Sequence, residues 1–140
     1  MDSIDADMNF AEGSVEASLN DFINNGTGTQ SFVLDKVPFE GEEVSVEGKE
    51  QLDNVAAMLM AHPELKCEIQ GHTTKAKNAV GATSKKAASG VRALWVKTKL
   101  SARGVEKDQL DSNGYGDEQL MEGVDPEDDS QKRLVLVMSK

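Results

Sequence analysis

The sequence predicts a two-layer α/β sandwich, a mixed sheet with helices packed on one face. Two observations carry this reading: segments with helical spacing alternate with short apolar or period-two segments in the order α, β, α, β, α, β, β, and 38% of the 140 residues are hydrophobic, enough for one core. Six aromatic residues leave that core to Leu, Val, Ile, Ala and Met.

Residues 1–12 are acidic and weakly patterned and are expected to form a flexible leader, ahead of a single domain over 13–140. In 13–25, Val15, Leu19, Phe22 and Ile23 recur at helical spacing, and the polar run from Asn24 to Gly28 ends the helix. Residues 31–39 (SFVLDKVPF) read as a strand limited by Pro38. Ser45 is placed to cap a helix reaching Ala61, with Leu52, Val55, Ala56 and Leu59 as its apolar stripe and Pro63 beyond its end. Leu65, Cys67 and Ile69 alternate with Lys66, Glu68 and Gln70, which predicts a strand with one buried face, closed by Gly71. The longest helix is expected from about Ser84 to Arg103, with Ala93, Val96 and Leu100 inward and Gly104 as its left-handed stop. A short strand over 109–115, an acidic loop over 117–129 and an apolar strand over 133–138 complete the chain.

Fifteen basic against 25 acidic residues give a net charge of −10, but the distribution is uneven. Between Ile69 and Val105 there is no Asp or Glu, while eight Lys and Arg lie there; the rest of the chain holds seven basic and all 25 acidic residues, a local +8 against −18. Lys85 and Lys86 are expected near the start of the long helix, where the dipole disfavours cations, so they suggest a site for an anion. The competing reading is a solvated basic face, partly neutralised by carboxylates from elsewhere in the fold.

Several chemistries lack their residues. Cys67 is the only cysteine and reads as a small buried hydrophobe; His62 and His72 lack metal-site spacing, and His72 is expected to be a strand-end residue bonded to backbone. No nucleophile elbow, Walker loop or dinucleotide fingerprint occurs, and the acidic loop lacks the calcium-loop frame, so no enzyme, metal or cofactor is expected. With only Trp95 among the basic residues, nucleic acid is not an expected partner. No membrane span is expected, since no stretch approaches the roughly 18 apolar residues required, and the acidic start has no export-signal pattern.

Seven motifs then fall in order: VPFEGE (37–42), EGKEQLDNVAAML (47–59), HPELKCEIQGHT (62–73), VRALWV (91–96), GV (104–105), NGYG (113–116) and KRLVLVM (132–138). Together they resemble the OmpA-like C-terminal domain, the peptidoglycan-associated module, over about 31–138; GSVEASLNDFINN (13–25) resembles a helix that precedes it in part of the family. The resemblance implies a non-catalytic envelope binding module in the periplasm or at the outer membrane, with a groove for the diaminopimelate side chain of the peptidoglycan stem peptide. An Asp after Gly-His-Thr meets the ligand ammonium there, and an Arg in the following helix meets its carboxylate. In this sequence Thr74 stands at the Asp position and Arg92 at the Arg position; Thr73 and Thr74 supply hydroxyls, Phe39 falls near the groove, and Lys85 stands where the family carries Asn. The connection from Thr74 to Arg92 is about three residues longer than usual. A second register through Thr83 and Ser84 puts Ala87 at the Arg position; the first is preferred because it preserves the helix end at Gly104. The expectation is therefore a weakened or altered ligand preference, with the alternative of an interaction domain that docks an acidic partner on the basic helix.

Overall fold

In the computed structural model, which describes residues 13–37 and 43–140, each of the α-helices described starts at a side-chain cap. Ser14 accepts from the Ala17 amide ahead of α1 (Val15–Asn25), Ser45 from the Gly48 amide ahead of α2 (Val46–Ala61), and Asn78 from the Gly81 amide ahead of α3 (Ala79–Ala102). The strands are β1 (Thr29–Val33), β2 (Lys66–His72), β3 (Leu110–Gly116) and β4 (Arg133–Ser139), in the sheet order β1-β4-β2-β3. β4 is antiparallel to both β1 and β2, while β2 and β3 run parallel and are joined through α3, as a parallel pair requires a crossover.

Side-chain alternation divides the sheet into two faces. Phe32, Cys67, Ile69, Leu134, Leu136 and Met138 join Leu19, Phe22, Leu52, Val55, Leu59, Ala93, Val96 and Leu100 in one core. The expected two-layer sandwich with an added N-terminal helix is the observed architecture. The Lys140 ammonium closes α1, donating to the Ile23 carbonyl at 2.7 Å and the Gly26 carbonyl at 2.9 Å, and so ties that helix to the end of β4. Cys67 is buried, and its thiol is pushed up to about 12 by burial and by the neighbouring Glu68 charge, in keeping with its reading as a hydrophobe.

Several boundaries differ from expectation. β1 ends at Val33 rather than continuing to 39, because Gln51 of α2 pulls the chain out of the sheet: it accepts from the Lys36 amide and donates to Asp35. Pro38 and Phe39 lie outside the described residues. β2 continues through Gly71 to His72, since that glycine serves close packing rather than a turn; a Cβ there would stand 2.2 Å from the Ser89 carbonyl oxygen of α3. α3 begins at Ala79, so the residues expected in a loop before Ser84 are helical.

Candidate functional site

The segment that follows β2 carries two of the candidate ligand-binding residues. Backbone amides fasten it to the loop after β3: Thr73 donates to the Gly116 carbonyl at 2.8 Å and Lys75 to the Pro126 carbonyl at 2.8 Å. The Asp117 carboxylate accepts from the Ala76 amide at 2.9 Å. Acidic residues that read as solvated loop are thus part of the site's scaffold; the signal available was their position directly after the NGYG strand end.

Thr73 and Thr74 are buried, and the Thr73 hydroxyl donates to the Thr74 carbonyl. Lys85, half-buried on α3, donates its Nζ to Thr74 Oγ1 at 2.6 Å. The cation and the hydroxyl therefore form one unit. The helix-start argument for Lys85 and Lys86 does not hold, because α3 begins six residues before Lys85 and the field of a helix terminus falls off within its first turn. Lys86 instead pairs with Glu118 at 3.0 Å, and Arg103 pairs with Asp53 at 2.6 Å, so part of the basic segment is neutralised by carboxylates from elsewhere in the fold.

Arg92 lies seven residues, two turns, beyond Lys85 and on the same flank of α3. Its guanidinium carbon sits 3.6 Å from the centre of the Trp95 ring, and Lys99 approaches the same ring at 4.7 Å. Ala93, Val96 and Leu100 are fully buried and Gly104 has a φ of +109°, the arrangement on which the preferred register rests; Ala87 of the second register faces solvent. Phe39 lies outside the described residues. A cleft of about 360 Å³ lined by Glu43, Val44, Lys49, Leu52, Lys99 and Arg103 includes none of Thr73, Thr74, Lys85 and Arg92.

Behind the site, the second sheet face carries a polar network absent from the motif reading. Glu68 accepts from the Tyr115 hydroxyl at 2.6 Å and from the Gln70 and Asn113 amides at 2.7 Å each. Burial alone would raise the Glu68 carboxyl, but these donors outweigh it and lower its pKa. Tyr115 is pushed up to about 12, first by its bond to Glu68 and then by burial. His72 is 1% exposed, stacks on Tyr115 with ring centres 5.5 Å apart, and bonds the Gln70 side chain rather than backbone, contrary to expectation. Burial first, and the Arg133 charge second, bring it down to about 4, so it is neutral at pH 7. Among the described residues, no cluster of three or more His, Cys, Asp or Glu side chains could hold a metal ion, and no helix is long and apolar enough to cross a membrane.

The architecture is thus an α/β domain with a mixed sheet, helices on one face, and the candidate polar side chains gathered after β2 and along α3, at one end of a parallel crossover. The chain belongs to the OmpA family, which matches residues 38–133. A comparison with curated protein sequences finds no match. Among solved structures, the peptidoglycan-associated lipoprotein from Burkholderia pseudomallei is similar at 25% identity and a TM-score of 0.58, over 81% of this chain and 91% of that one. The OmpA-like domain of FopA1 from Francisella tularensis gives a TM-score of 0.65 at 13% identity, over 79% and 73% of the two chains. The periplasmic domain of Helicobacter pylori MotB gives 0.61 at 14% identity, over 81% and 83%.

Proposed function

We propose that this domain is a non-catalytic cell-envelope binding module, acting in the periplasm or at the outer membrane, and that its site takes an anionic group of an envelope polymer such as a peptidoglycan stem peptide. Family membership and the likeness to a peptidoglycan-associated lipoprotein support the envelope role. The observation that carries the altered preference is the bond from Lys85 Nζ to Thr74 Oγ1. Where the family presents a carboxylate to a ligand ammonium, this chain presents a hydroxyl already occupied by an ammonium of its own. A zwitterionic head group then loses its ion pair and meets a like charge, whereas a plain carboxylate gains a partner. Losing a buried pair of this kind costs about 2–5 kcal/mol, or roughly 30-fold to several thousand-fold in affinity. Arg92 remains as the carboxylate clamp, suited to a forked double hydrogen bond.

The test is a titration of isotope-labelled protein with two probes, a diaminopimelate-containing muropeptide and its form acylated at the side-chain amine. Amides of Gly71–Lys77 and Arg92 are expected to shift more with the acylated probe, and Arg92→Ala to abolish the shifts. The double variant Thr74→Asp/Lys85→Asn should reverse the preference. Tighter binding of the free amine by the unaltered chain would refute the anion preference, and no shift with either probe at millimolar concentration would refute peptidoglycan binding.

A further inference from the structure

The side of α3 turned away from the core carries an apolar stripe that is exposed among the described residues. Val80, Ala87, Val91 and Leu94 recur at intervals of seven, four and three residues, with Ser84 and Thr98 in the remaining places, so all six fall on one line along the helix. Val80 is 78% exposed, Val91 68% and Leu94 51%, the largest run of exposed aliphatic side chains on any described helix. Thr83 and Thr98 return their hydroxyls to the carbonyls of Ala79 and Leu94, one turn back, which removes two polar groups from this face. Cations border the stripe on both sides. Lys97 and, paired with Glu118 from outside the helix, Lys86 lie along one flank and Arg92 and Lys99 along the other, while α3 itself contains no acidic residue.

We infer that this outer face of α3 docks an acidic amphipathic helix of a partner protein, one with apolar residues at three- and four-residue spacing and Asp or Glu on both flanks. Charge complementarity selects that occupant. A second copy of the face would bring two uniformly basic helices together, at a cost in like-charge repulsion. A lipid surface is disfavoured by side-chain size: Ala87 and Ala88 suit close approach of another backbone, and the one large aromatic side chain of α3, Trp95, lies at the edge of the stripe against Arg92 and Lys99 rather than on its centre line. From Val80 to Thr98 the stripe spans about 27 Å, room for roughly five turns of a partner. Trp95, the only tryptophan in the chain, sits half-buried beside the stripe and reports occupation directly.

The experiment titrates the full chain with a synthetic 21-residue helical peptide carrying Leu and Ala on one face and Glu on both flanks, read by Trp95 emission. A saturable change is expected, weakened about ten-fold between 0.05 and 0.5 M salt as exposed pairs are screened. A peptide with Lys in place of Glu should give none. Val91→Asp/Leu94→Asp should lose at least about ten-fold in affinity with an unchanged circular dichroism spectrum, both side chains being exposed. If that variant unfolds, Lys97→Glu serves instead: it should weaken the Glu peptide and recover when the facing peptide position is Lys. Binding to phosphatidylglycerol vesicles but not to the peptide would overturn the proposal in favour of a membrane face. Self-association lost in the variant, without peptide binding, would overturn it in favour of a second copy, and no response at millimolar peptide would overturn it outright. None of these outcomes depends on the probes used for the Thr74 site.

Discussion

Gly114→Ala is expected to separate α3 from the sheet. A Cβ on Gly114 would stand 2.2 Å from the Gly90 amide nitrogen and 2.6 Å from the Lys86 carbonyl oxygen, both backbone atoms of α3 that no side-chain rotation can move. Ordinary contact begins near 3.5 Å, so the helix must retreat by roughly 1 Å. Overpacking of this kind costs about 1–3 kcal/mol. The retreat also stretches the 3.0 Å bond from the Gly116 amide to Ser89 Oγ, a buried pair whose loss adds about 1–3 kcal/mol. Together these give about 2–6 kcal/mol, a large share of the roughly 5–15 kcal/mol that stabilises a domain. Urea unfolding followed by Trp95 fluorescence measures it, and Gly90→Ala is the internal control. From that side a Cβ meets Gly114 at 3.7 Å, an ordinary contact, and a helix interior favours Ala over Gly by up to about 1 kcal/mol. Equal losses for the two variants, or a loss under about 1 kcal/mol for Gly114→Ala, would refute the account of backbone-to-backbone packing.

Acid should weaken the fold through His72. Its folded value near 4 lies below the ordinary 6.5, so the unfolded chain binds the proton first, and the stability from keeping the ring neutral is complete above pH 6.5 and lost as pH falls towards 4. The upper bound is about 3 kcal/mol, and His72→Asn should flatten the dependence of urea midpoint on pH across that window; an imidazole titrating at or above 6.5 by NMR would contradict it. Gln109 donates Nε2 to the carbonyls of Leu59, His62 and Leu65, where α2 ends and β2 begins. Gln109→Leu should cost about 1–3 kcal/mol in urea unfolding by removing a buried donor shared by three carbonyls, of which Leu59 and His62 keep the amides of His62 and Leu65, and an unchanged midpoint would show that these backbone bonds suffice.

Helical and strand periodicity were legible wherever one face is buried. The stripe Leu52, Val55, Ala56 and Leu59 and the alternation Leu65, Cys67 and Ile69 are all core, because burial on one side imposes the period. Legibility failed where tertiary contacts override local signals. Gly71 reads as a terminator, yet it is a strand interior kept bare for α3, and the first turn of α3 is silent in the sequence because Ala79–Thr83 carries no inward apolar stripe to announce a helix. At the site, the loss of a carboxylate at Thr74 and the gain of Lys85 were readable as types. Their direct bond was not, since it joins residues eleven apart through the pitch of a helix whose first turn carries no helical signature in the sequence.

That bond also explains how a site could change its preference without disturbing its frame. The backbone after β2 is fixed by bonds that do not involve the side chain at 74: the Gly116 and Pro126 carbonyls and the Asp117 carboxylate hold the amides of Thr73, Lys75 and Ala76. Glycines at 71 and 114 set the distance between the sheet and α3, and with it the reach from Lys85 to Thr74. Position 74 is therefore free to exchange a carboxylate for a hydroxyl at little cost in folding. A cation placed on the facing helix is then brought onto that hydroxyl by geometry the fold already maintains. On the proposed reading the scaffold and the charge preference are separable, so Gly114→Ala should damage stability and binding together, whereas Thr74→Asp/Lys85→Asn should alter ligand choice alone.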